Sequence, residues 1–119
     1  MGMMDWKEYL KCLLQRIGEL RHISPAIVSG YRTIGGTAAK SGLLGAKVNE
    51  LIALAVAVSL KCDGCIPVHT AAAVRAAATP GEICEALGTA ISVNAGAALV
   101  YSGRVLDACQ DATHQTLAE

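Results

Sequence analysis

Apolar positions along the chain recur at spacings of three and four, and no stretch alternates with a period of two over the length of a strand. Trp6, Leu10, Leu13, Leu14, Ile17 and Leu20 line one face of a helix predicted from about Asp5 to Leu20. Ser24-Pro25 reads as an N-cap followed by proline at the first helical position. That second helix passes Tyr31 and extends to Lys40 unless Gly35-Gly36 breaks it. Residues 41–45 form a connector. The third helix starts near Lys47 and carries NELIALAVAVSL. It is apolar nearly all round after Glu50, which predicts a central or subunit-interface position.

Lys61 to Gly64 interrupts the pattern, and a further helix begins between Cys65 and Pro67, because proline is tolerated in a first turn. Thr79, Pro80 and Glu82 have the arrangement of a capping box opening the next helix. That helix is predicted to end near Val93, with Asn94-Ala95-Gly96 as a break or kink before a last helix reaching Gln110 or beyond. The expectation is an all-α fold of about six helices in one domain covering residues 1–119.

Composition adds a reason to expect more than one copy. Hydrophobic residues make up 53% of 119 and charged residues 17%. So apolar a small chain leaves apolar surface outside its own core. Aromatic residues are few, and ten basic residues balance ten acidic ones. Stacking platforms and a basic footprint are both missing, which argues against a nucleic-acid partner. The N-terminus lacks a signal-peptide core, and the longest apolar run, Leu51 to Leu60, is too short to span a bilayer. These features predict a cytoplasmic protein with no membrane partner.

Five cysteines, Cys12, Cys62, Cys65, Cys84 and Cys109, are scattered unlike a secreted disulfide framework. Only Cys62-Asp63-Gly64-Cys65 is a close pair. Two intervening residues let both thiols sit in one turn, within reach of an intramolecular disulfide. The reactive species is a thiolate. The start of the following helix offers free N–H groups and a positive dipole end to favour it. His69, four residues after Cys65, stands on the same helix face one turn along. Glu50, twelve residues before Cys62, is a carboxylate among apolar neighbours, costly without a partner. On a helical hairpin it lies about three turns from the cysteines. A direct bond to Cys65 is therefore not expected, whereas a relay through His69 or a water is easily built. Asp63 is a candidate cap for the next helix.

Glu50, Cys62, Cys65 and His69, spaced EX11CXXCX3H, resemble the alkylhydroperoxidase-D-like family within the carboxymuconolactone decarboxylase superfamily. The flanking Ala/Val-rich helix, the alanine-rich helix after the turn and the T-P-x-E-I start resemble it too, over about Lys47 to Asp107. The resemblance implies an all-helical subunit assembling as a homo-trimer or homo-hexamer through helix packing. It implies a thiol-dependent peroxidase or disulfide oxidoreductase, with Cys65 as peroxidatic cysteine, Cys62 as resolving partner, and Glu50 and His69 as proton relay. The substrate would be a small-molecule hydroperoxide, the reductant an external dithiol. No bound organic cofactor is implied, since the dithiol is the redox centre. One position departs from the best-known members, which carry a second histidine immediately before the second cysteine, where this chain has Gly64.

The same residues admit further readings. The cysteines could be two small buried hydrophobes. Cys62, Cys65, His69 and Glu50 are also plausible zinc ligands, although structural zinc sites usually present a second close ligand pair, which this chain lacks. A noncatalytic helical oligomer that binds a small molecule or senses redox state stays open, as does a lactone decarboxylase acting without the thiols. Tyr31 and Arg32 are candidates for a pocket mouth.

Overall fold

The computed structural model describes residues 2–118 and is built of helices throughout, with no strand among those residues. They run α1 (Trp6–Ile23), α2 (Pro25–Ser41), α3 (Gly45–Leu60), α4 (Cys65–Arg75) and α5 (Pro80–Ala118). Each start follows from local chemistry. The Asp5 carboxylate accepts the Glu8 N–H at 3.0 Å, capping α1. Ser24 occupies the cap position of α2 ahead of Pro25, but its hydroxyl makes no cap bond. Thr79 and Glu82 close a reciprocal capping box on α5, at 3.0 and 3.1 Å.

Helix α2 runs unbroken through Gly35-Gly36 and stops at Gly42, whose φ of +65° supplies the left-handed residue that ends a helix. Among the described residues the count is five helices instead of about six, because Asn94 does not break α5. Its Nδ2 donates to the Ala90 carbonyl one turn back and to Ser59 Oγ of α3, both at 2.7 Å. The side chain that often competes with helical hydrogen bonding here satisfies the helix's own carbonyl and clips α5 to α3.

Helix α3 packs on both α4 and α5, and the core lies there. Leu54, Ala73 and Ala78 form its buried cluster, with Leu51 and Ile83 packed against it. Ala57 and Ala90 are buried as well. Small residues let the helix backbones approach closely, but little large apolar surface is covered. The chain exposes 9393 Å², where a compact monomer of this size would expose about 6,100 Å². Its radius of gyration is 20.4 Å, against about 13.5 Å for a compact chain of the same length.

The second half of the continuous α5 contributes to this surplus. Every described residue after Gly96 is exposed, Leu99, Val100, Val105 and Leu106 among them. Because α5 is unbroken, it is long and apolar enough to cross a membrane by length and composition, which the shorter run Leu51–Leu60 is not.

Candidate active site

The redox turn is made by the way α3 ends. Lys61 adopts a left-handed conformation, φ +55°. The Cys62 N–H reaches back to the Ala57 carbonyl at 3.0 Å, and the Lys61 N–H to that of Val58 at 3.3 Å. The chain reverses, and α4 begins three residues later at Cys65. Its N–H is shared between the carbonyl oxygen of Cys62 at 3.1 Å and Cys62 Sγ at 3.3 Å. Cys62 and Cys65 are joined by a disulfide, with Cα atoms 5.3 Å apart, and both are half-buried. Asp63 is exposed and does not cap α4; the Cys62 atoms serve its first N–H instead.

His69 lies in the second turn of α4. Its Nδ1 is 2.7 Å from Oε2 of Glu50 on α3. The side chains are 32% and 26% exposed, so the pair sits at the edge of the core, neither sealed nor free. With the carboxylate ionised, Nδ1 carries the proton and donates it, leaving Nε2 as the free ring position. A direct bond thus joins the two polar residues that the sequence placed on neighbouring helices, and Glu50 is not simply a solvated residue of a first turn.

One turn before Glu50, Lys47 Nζ makes an ion pair with Glu82 Oε2 at 2.8 Å. The Lys47 ammonium, together with the Thr79 N–H, holds the Glu82 carboxyl below its ordinary value of 4.5. This pair ties the start of α3 to the start of α5, and so steadies the segment carrying Glu50.

The remaining candidates lie elsewhere. Cys12, Cys84 and Cys109 are free and exposed. His22 and His114 are exposed. Arg32 lines an open groove of about 530 Å³ along α2, with Arg21 and Lys40, while Tyr31 is 71% exposed and does not line it. In this oxidised form both Sγ atoms are engaged in the disulfide. Among the described residues, no three His, Cys, Asp or Glu side chains come together as a ligand set. Leu13 is the residue of the site that sequence reasoning missed: a methyl of this α1 side chain lies against Gly64 of the turn. Its apolar periodicity was visible, but not the element it would meet.

Known proteins support the reading at the level of family. Residues 25–108 match the model of the Carboxymuconolactone decarboxylase family. An uncharacterized protein of Haemophilus influenzae is 46% identical over 104 residues, covering 87% of this chain and 92% of its own. An uncharacterized protein of Cupriavidus necator is 34% identical, covering 86% and 90%. "Uncharacterized protein 4 in cox locus" of Paracoccus denitrificans is 31% identical, covering 76% and 81%. With the matched segment taking in α2 to α4, most of α5, the dithiol turn and the Glu50–His69 pair, the chain belongs to the carboxymuconolactone decarboxylase family.

Proposed function

We propose that this protein is a thiol-dependent peroxidase and disulfide oxidoreductase working through Cys62 and Cys65. The observation that carries the reading is the combination in one place of a Cys62–Cys65 disulfide and a histidine, one turn along α4, bonded to Glu50. Membership of a family that includes enzymes is consistent with it.

In the reduced protein, the Cys65 thiolate attacks one oxygen of a hydroperoxide. The O–O bond breaks, the alcohol leaves with a proton, and Cys65 becomes a sulfenic acid. The Cys62 thiolate then attacks that sulfur, the S–S bond forms, and the hydroxyl departs as water. His69 takes the Cys65 proton and returns it to a leaving oxygen, and Glu50 fixes the ring. An external dithiol reduces the bridge by exchange and leaves as its own disulfide. Attack on Cys65 expels Cys62 as thiolate, where the Cys65 N–H already points at its sulfur. No organic cofactor or metal enters these steps.

The same reading includes a homo-oligomer, trimer or hexamer, in the cytoplasm. The surplus of about 3,300 Å² over a compact monomer is of the size that permanent interfaces bury. The apolar α5 is then a helix-packing surface between copies, and its length needs no bilayer.

Turnover tests the function. With an organic hydroperoxide and a dithiol reductant, the wild type consumes peroxide catalytically, whereas Cys62→Ser/Cys65→Ser does not. A lactone decarboxylase activity unaffected by that double substitution, without peroxide turnover in the wild type, would overturn the reading.

A further inference from the structure

We propose that Leu13 is a specificity-determining residue for the redox turn, closing the face over Gly64 so that large thiol reagents are held off the disulfide. Gly64 has φ −70° and ψ −28°, a conformation open to any residue, so the backbone does not require glycine here. The space does. A Cβ at Gly64 would lie 2.6 Å from Leu13 Cδ2, with Leu13 Cδ1 and Cγ both at 3.9 Å. The α1 side chain occupies the volume into which a side chain between the two cysteines would project.

Leu13 is placed there by its helix. Trp6, Tyr9, Leu10 and Leu13 are the half-buried large side chains of α1, at spacings of three and four, while Leu14, Ile17 and Leu20 stay exposed. The face that turns inward therefore ends at the dithiol. Cys62, Gly64 and Cys65 are themselves half-buried, so the disulfide can be approached from only part of the surrounding space.

Thiol–disulfide exchange depends on access to the sulfur that is attacked. The incoming thiolate bonds to one cysteine sulfur while the other leaves as thiolate. The reagent's second thiol then closes its own disulfide and frees the first cysteine. A small dithiol meets the bridge beside the Leu13 methyl groups, whereas a protein dithiol brings a surface that collides with them. The contact atom at Gly64 is the end of a flexible side chain, so a methyl at position 64 displaces Leu13 without dismantling α1. Leu13→Ala thus opens this face, whereas Gly64→Ala exchanges the Leu13 methyl for one carried by the turn itself.

This inference rests on the exchange half of the proposed function alone, and its test needs no peroxide. The oxidised protein is reduced by dithiothreitol and, separately, by reduced thioredoxin, and bridge opening is followed by thiol release. Leu13→Ala should raise the thioredoxin rate about tenfold, with the dithiothreitol rate changed less than about twofold. Leu13→Met, which refills the space, should restore wild-type discrimination. Circular dichroism checks the helices, and Leu13→Val serves if Leu13→Ala loses them. Equal acceleration by both reagents would mean a loosened turn and would overturn the proposal, as would unchanged rates. A protein inert to hydroperoxides yet showing the size discrimination would remove the peroxidase reading and leave this one standing.

Discussion

His69 Nδ1 and Glu50 Oε2 meet at 2.7 Å between two helices whose junction is the dithiol turn. The pair is part-exposed, and in the proposed reaction the ring exchanges protons with the substrate while the carboxylate holds it in one orientation. His69→Ala should therefore slow oxidation of the reduced protein by hydroperoxide by about two orders of magnitude, with helix content unchanged. Added imidazole should recover part of the rate. A purely structural histidine would show no such rescue. Glu50→Gln keeps a hydrogen-bonding group but no charge, and should fall between wild type and His69→Ala in rapid-mixing rates.

The Glu82 carboxyl is held low by Lys47 first and the Thr79 N–H second. A carboxyl depressed in the folded state adds stability that is fully present above the ordinary value of 4.5 and is lost as pH falls through the folded value. Glu82→Gln should accordingly lower the melting temperature at pH 7. The gap from wild type should close progressively below pH 4.5. Thermal melts across that range check both the size and the sign of the effect. Thr79→Ala, which removes the other half of the box, should cost about 1 kcal/mol.

Asn94 joins α5 to α3 through Ser59. The Asn94→Ala and Ser59→Ala variants should show a coupling of about 0.5–1.5 kcal/mol in a double-mutant cycle by urea unfolding. Additive losses would mean that the contact does not hold the two helices together.

The exposed half of α5 should be covered by further copies of the chain. Light scattering should give the mass of a trimer or hexamer. Leu99→Asp/Val100→Asp, at sites 76% and 80% exposed in the single chain, should shift it toward monomer. The wild type should not float with lipid vesicles. Flotation, with a monomeric mass in detergent, would assign the helix to a membrane instead.

Where the chain signals through neighbours in sequence, the fold was legible. The Thr79–Glu82 box, Pro25 and the small-residue connector after Ser41 all mark real boundaries. So does the Lys61–Gly64 interruption, which delivers the cysteines to one turn. Local propensity left Gly35-Gly36 open and failed at Asn94–Gly96. In both, residues that weaken an isolated helix lie inside a longer one, and at Asn94 a tertiary hydrogen bond to Ser59 offsets the weakness. Glu50, Cys62, Cys65 and His69 were readable as residue types at a spacing, and the structure joins Glu50 to His69 and Cys62 to Cys65. The contact of Leu13 with Gly64 was not readable. It joins segments about fifty residues apart, and nothing in a single sequence records which of α1's apolar residues meets the turn.

The central claim is that Cys62 and Cys65 are a peroxide-reducing dithiol served by His69. Its most direct test is rapid mixing of the fully reduced protein with hydrogen peroxide and with an organic hydroperoxide, counting thiols and mapping bridges by mass spectrometry. Fast loss of two thiols with a Cys62–Cys65 bridge is the result predicted, abolished in Cys65→Ser and strongly slowed in His69→Ala. Oxidation no faster than that of an ordinary free cysteine, or spread over Cys12, Cys84 and Cys109, would contradict it.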